Sequence, residues 1–155
     1  DNRRSDFNDR LMLFYSGASR TASEIAGSFV NSLSERSKQL KKMHEMVFTA
    51  RDILEGDSDL DEFGEMLHET WQMKRQLGAK ISNNYIDEIY EKARGAGAVG
   101  GKLLGAGGAG FLAFYVRPDD QPKVQGALKD LIHVPFDLEN EGSTLLLNSG
   151  DVLSR

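Results

Sequence analysis

Apolar residues fall along the chain in short blocks whose spacing alternates between that of a strand and that of a helix. Leu11-Met12-Leu13-Phe14-Tyr15 is an apolar run stopped by Ser16-Gly17, which predicts a buried strand entering a loop. Thr21 and Glu24 stand at capping-box spacing, and Ala22, Ile25, Ala26, Phe29, Val30 and Leu33 then recur at helical intervals. A second helix is predicted over about 34–55, with Leu40, Met43, Val47 and Leu54 on one side and Gly56 after it. Asp59, Asp61 and Glu62 suit the positive end of a third helix reaching to about residue 80. Asn83 caps a fourth, whose buried stripe is Ile86, Ile89, Tyr90 and Ala93.

Beyond the glycine-rich stretch that starts at Gly95, the aromatic run 111–116 predicts a second buried strand, ended by Pro118. Val124, Ala127, Leu128, Leu131 and Ile132 mark a last amphipathic helix with Pro122 in its first turn. Val134, Phe136 and Leu138 alternate, Asn140-Glu141-Gly142 supplies a turn, and 144–147 returns, which predicts a hairpin. The order strand, four helices, strand, helix, strand, strand defines an α+β class. We expect a four-stranded antiparallel sheet with helices on one face and a long helical insert between its first two strands.

Length and composition narrow the picture. The chain has 155 residues, one domain's worth, and its 39% hydrophobic and 28% charged content is that of an ordinary globular protein. Residues 1–9 are polar, without period and without an initial Met, so they are expected to be a linker or a boundary remnant, with one domain over 10–155. No run approaches the roughly 20 apolar residues of a membrane span and the start lacks a signal peptide's apolar core, so no membrane association and a cytoplasmic location are expected. A net charge of -5 argues against a nucleic-acid surface. The absence of cysteine removes disulfides, thiolate catalysis and cysteine-held zinc.

Candidate chemistry concentrates in the stretch 95–110, half of it glycine, which leads directly into the 111–116 run. Glycine permits positive φ and close backbone approach, so successive N–H groups can line one concavity and hold a phosphate; a plain flexible turn or tight packing against a helix fits the composition equally well. Gly105, Gly107 and Gly110 match the dinucleotide spacing, but a strand follows where that motif needs a helix. A Walker A loop fails too, because Leu103 follows Lys102 and Ala96 holds the place of its first glycine.

Residues 100–112, Gly-Gly-Lys-Leu-Leu-Gly-Ala-Gly-Gly-Ala-Gly-Phe-Leu, resemble the third conserved motif of GHMP kinases. The segments 13–23, 67–75, 82–83 and 86–90 resemble the branch of that superfamily that phosphorylates D-glycero-D-manno-heptose 7-phosphate at its anomeric hydroxyl. The resemblance implies a ferredoxin-like C-terminal kinase domain whose loop residues Gly101, Lys102, Gly105, Ala106, Gly107 and Gly108 border a phosphate and substrate cleft. It implies ATP and Mg as cofactors, a sugar phosphate as acceptor, and an N-terminal partner domain carrying the main ATP loop, the catalytic Asp and the Mg-binding acid. None of those N-terminal motifs occurs in this chain, so the chain alone is expected to be inactive, and a homodimer is left open. Fucokinase-like or mevalonate-kinase-like activity, or a ferredoxin-like module without catalysis, are the alternatives. Ala109 stands where the family usually has glycine, which suggests that this position needs no positive φ.

Other candidates carry two readings each. Lys74 falls inside the apolar arc of Leu60, Phe63, Leu67, Trp71 and Leu77, so it snorkels, meets a carboxylate or faces an anionic ligand. Trp71, His68 and Arg75 form either a sugar-binding edge or a core Trp beside a solvated flank. Ser19 and Arg20 precede a predicted helix start, suited to capping or to holding the acceptor's phosphate. No nucleophile, His and acid grouping stands out, and no catalytic residue is assigned.

Overall fold

The computed structural model describes residues 2–17, 36–139 and 142. Ser19, Arg20, the helix predicted over 21–33 and the return strand at 144–147 lie outside the described residues.

Four strands form one antiparallel sheet: β1 (Leu11–Tyr15), β2 (Ala98–Leu103), β3 (Phe111–Val116) and β4 (Ile132–His133), in the order β2-β3-β1-β4. Among the described residues the helices are α1 (Asn2–Asp9), α2 (Ser37–Glu55), α3 (Asp61–Arg75), α4 (Asn84–Gly95) and α5 (Gln121–Ala127). The architecture is α+β. Leaving aside α1 and the extra helices of the first crossover, it is the split βαβ arrangement of a ferredoxin-like fold.

The sheet presents Met12, Phe14, Leu103, Leu112, Phe114 and Val116 to the helices. They form one core with Trp71, Ile86, Ile89, Tyr90, Ala93, Val124 and Leu128, all nearly or fully inaccessible. The α4 stripe is the one predicted, and the Asn83 side chain caps that helix by accepting from the Ile86 N–H at 3.1 Å. At α3 the Asp59 carboxylate accepts from the Asp61 N–H at 3.0 Å, so the acids near this helix start do sit at its positive end.

The structure differs from expectation in three places. First, two of the four strands are not the expected ones. Ala98–Leu103 is strand β2, paired Gly101↔Phe114, Lys102↔Ala113 and Leu103↔Leu112, with an irregularity between Ala98 and Gly100. Its glycines allow close packing: a Cβ on Gly100 would stand 1.8 Å from the Gly64 carbonyl oxygen of α3. Gly101 is therefore a buried strand residue and not part of the loop. The last strand among the described residues is Ile132–His133, just ahead of the expected 134–138, and there only the Val134 N–H continues the ladder, to Leu13 O at 2.8 Å.

Second, the segment expected to be a linker contains α1. Arg3 donates to the carbonyls of Ile53, Leu54 and Ser58, at and just beyond the C-terminus of α2, and so satisfies acceptors left open by the helix. Phe7 meets Phe63 edge-on at 4.8 Å and reaches Tyr115 on the other side of the sheet from Phe114. Third, the α2 stripe is only partly the expected one: Leu40 and Met43 pack against the core, but Met46 and Ile53 are the buried residues and Val47 is 61% exposed. Helix α3 stops at Arg75, and turns at Leu77 and Ile81 lead into α4.

Candidate functional site

The loop proper is Leu104–Gly110, the connection between β2 and β3. Gly105, Gly107, Gly108 and Gly110 take φ of 71°, 124°, 77° and 112°, values an L side chain rarely adopts. Ala109 has no positive φ, as its identity suggested. Gly107 lies against the chain at Ile81, where a Cβ would come within 2.7 Å of the Ile81 carbonyl oxygen.

Three neighbours fix this shape. The Gly108 N–H donates to Ile81 O at 2.8 Å, and the Asn83 side-chain amide donates to Gly108 O at 2.8 Å. At the loop exit the Gly110 N–H donates to Ser16 Oγ at 3.1 Å, and the Ser16 N–H donates back to Gly110 O at 2.9 Å. Ser16 is 2% exposed, and its carbonyl accepts from the Tyr85 hydroxyl at 2.9 Å. Gly108 is thus an anchor: its amide is already used. Among the described residues, the amides of Gly105, Ala106, Gly107 and Ala109 have no acceptor. Sequence reasoning missed Ser16 and Tyr85 as supports; only the Ser16-Gly17 stop hinted at the first.

Among the described residues Lys74 meets no carboxylate. Its ammonium donates to Gly105 O at 2.6 Å and Leu103 O at 3.3 Å, tying the last turns of α3 to the entry of the loop. Burial, and secondarily the charge of Lys102, pull its pKa down to about 8. Lys102 projects from β2 one residue before Leu103; burial lowers its pKa too, and it has no ion pair among the described residues.

Trp71 is corrected as a ligand-facing residue. It is 0% exposed within the core, 6.1 Å from the Tyr90 ring, and offers no face to a sugar. His68 stacks on Tyr90 and shares a 2.6 Å hydrogen bond between Nδ1 and the Tyr90 hydroxyl. Burial foremost, then Arg94, lowers the pKa of His68. Arg75 lies elsewhere, pairing with Asp87 at 2.8 Å in an open groove of about 490 Å³ between α3 and α4 that Gln72, Ser82 and Asn83 also line. Among the described residues no group of three His, Asp or Glu stands together to hold a metal ion, so no step is assigned to magnesium here. No described helix is long and apolar enough to cross a membrane.

A ferredoxin-like sheet whose β2–β3 connection is a glycine loop of this shape defines a class, and the comparison with family models agrees. Residues 40–133 match GHMP kinases C terminal, and the chain belongs to that family. Its relatives narrow this further. The chain is 28% identical over 127 residues to D-glycero-alpha-D-manno-heptose 7-phosphate kinase of Campylobacter jejuni, covering 81% of this chain and 37% of that protein. It is 26% identical over 140 residues to bifunctional fucokinase/GDP-fucose pyrophosphorylase of Arabidopsis thaliana, covering 87% of this chain and 13% of that one. The L. major mevalonate kinase solved with R-mevalonate shares the fold, with TM-score 0.67 and 20% identity over 79% of this chain and 40% of that chain. The chain thus spans well under half the length of these relatives.

Proposed function

We propose that this chain is the C-terminal half of an ATP-dependent sugar kinase of the heptose-phosphate branch, acting together with an N-terminal lobe in the cytoplasm. In the reaction the anomeric oxygen of D-glycero-D-manno-heptose 7-phosphate forms a bond to the γ-phosphorus of ATP, the bond to the β-phosphate oxygen breaks, ADP leaves, and the hydroxyl proton passes to a base on the other lobe. ATP and Mg are held mainly by that lobe. This half contributes positioning and charge, the larger part of phosphoryl-transfer catalysis.

The observation that carries the reading is the loop Leu104–Gly110: four glycines at positive φ, amides of Gly105 and Ala106 without acceptors among the described residues, and a lysine at its entry. Such a crook holds anionic oxygen without reorganising. The two sequence relatives named above both carry sugar kinases in their names, which supports a sugar as acceptor. Ser19 and Arg20 remain proposed contacts to the acceptor's phosphate, and Arg75 a contact at the edge of the Ser82–Asn83 groove.

The test is ADP release by the full gene product that carries this chain, with heptose 7-phosphate, fucose and mevalonate offered separately. Turnover of the heptose phosphate well above the other two is expected. Efficient turnover of fucose or mevalonate with none of the heptose phosphate would replace the substrate, and no turnover of any would leave the non-catalytic module.

A further inference from the structure

The last pair of the β1–β3 ladder is not closed in the ordinary way. The register that sets Tyr15 opposite Phe111 sets Ser16 opposite Gly110, and an antiparallel pair of this kind exchanges both backbone N–H···O bonds. The Ser16 N–H does reach Gly110 O, at 2.9 Å, but the Gly110 N–H goes to the Ser16 hydroxyl at 3.1 Å instead of to its carbonyl. Gly110 at φ 112° and Gly17 at φ 76° turn the two chains out of the sheet at this point. The Ser16 carbonyl, released from the ladder, accepts from the Tyr85 hydroxyl at 2.9 Å. Apart from aromatic residues, Ser16 is the one buried polar residue among those described.

Tyr85 stands in the first turn of α4, two residues after Asn83, whose amide holds Gly108 O at 2.8 Å. One helix start thus reaches two places at the end of the sheet: Asn83 the middle of the glycine loop, Tyr85 the exit of β1. We infer that Tyr85 is a positioning residue for the proposed phosphoryl transfer. By keeping the Ser16 carbonyl out of the ladder it leaves the Gly110 N–H to the Ser16 hydroxyl, and so fixes the exit of the glycine loop and the exit of β1 as one body. This deepens the kinase reading and rests on it for the reaction that is served. With 47% of its surface exposed, Tyr85 adds little to the core, and its hydroxyl bond is what ties it to the sheet. It acts through Ser16, and no contact with a substrate is assigned to it.

The experiment compares Tyr85→Phe, Ser16→Ala, the double variant and, as control, the exposed Lys129→Met. Amide exchange of the 155-residue chain is followed residue by residue by NMR at fixed pH. In Tyr85→Phe the Ser16 and Gly110 amides are expected to exchange about three- to tenfold faster together, as loss of one neutral hydrogen bond implies. The Gly108 amide, held by Ile81 O, and the Phe114 amide within the sheet keep their rates, and Lys129→Met changes none of the four. Ser16→Ala frees the Gly110 N–H directly, so adding Tyr85→Phe to it speeds that amide by about twofold at most. In the full gene product Tyr85→Phe lowers kcat about three- to tenfold and leaves both KM values within about twofold, because a shifted loop costs rate and not affinity.

Unchanged Ser16 and Gly110 exchange in Tyr85→Phe overturns the inference. So does a uniform rise that includes Gly108 and Phe114, which would make Tyr85 a plain stabilising residue, and so do fully additive effects of the two substitutions on Gly110. A raised KM at unchanged kcat would make Tyr85 a ligand contact and overturns the positioning role as well. A gene product without turnover removes the kinase reading and with it the reaction that Tyr85 serves. Exchange is read without turnover, so it decides separately whether Tyr85 joins the two exits.

Discussion

Replacing Gly107 by alanine tests whether the loop's shape is imposed by its neighbours or merely allowed by glycine. At φ 124° an L side chain is strained, at a cost of about 1–3 kcal/mol. The added Cβ would also come within 2.7 Å of Ile81 O and 2.8 Å of Ile81 Cα, backbone atoms that cannot swing away, which adds about 1–3 kcal/mol more. To relieve the overlap the loop must lift from Ile81 and lose the Gly108 N–H to Ile81 O bond. The total is about 2–6 kcal/mol, or about 4–24 °C in Tm for a chain of this size. Gly105 is the control: at φ 71° with nothing within 4 Å of its virtual Cβ, Gly105→Ala costs only about 1 kcal/mol. The assay is urea and thermal unfolding of both variants followed by circular dichroism. Equal losses in the two would show that Ile81 does not press on Gly107 as described, and the account of the loop as a pre-shaped crook would fail with it.

The remaining expectations are shorter. The depressed Lys74 pKa, about 8 against 10.5 for a free side chain, means that between those values the unfolded chain holds a proton the folded chain has released. Wild type should gain stability relative to Lys74→Met as pH rises from about 8 to 10.5; parallel urea midpoints for the two proteins across that window would contradict the burial of Lys74. Trp71→Ala should cost about 3–5 kcal/mol as a core deletion, and emission from Trp71, the one tryptophan, should be blue-shifted and poorly quenched by iodide; an exposed spectrum would restore a ligand-facing role. Gly100→Ala should cost about 3 kcal/mol by forcing α3 away from β2, and a variant with wild-type Tm would show that the 1.8 Å approach to Gly64 O is not there.

Much of the frame was legible because it is written in local spacing. The stripe Ile86, Ile89, Tyr90 and Ala93, its Asn83 cap, and the two apolar central strands required no knowledge of the rest of the chain. Strand β2 was illegible for a physical reason: Ala-Val-Gly-Gly-Lys-Leu has weak strand propensity, and it becomes a strand because β3 supplies hydrogen bonds and α3 needs its missing side chains. The same holds for α1, whose polar residues show no amphipathic period, but whose Arg3 closes the end of α2 from 51 residues away. The site was half legible. Glycine density pointed to 104–110, but composition does not say which amides are free, and the Gly108 N–H is already bonded to Ile81 O.

By itself the sequence determined the α+β class, the central strand pair, the fourth-helix stripe and the place of the glycine loop, because periodicity and glycine content act over a few residues. Tertiary structure alone decided that Trp71 is core, that Gly101 belongs to a strand, and that Lys74 reaches across 31 residues to the loop carbonyl of Gly105. Burial and charge pairing depend on what the fold brings alongside a residue, and no local pattern encodes the neighbour.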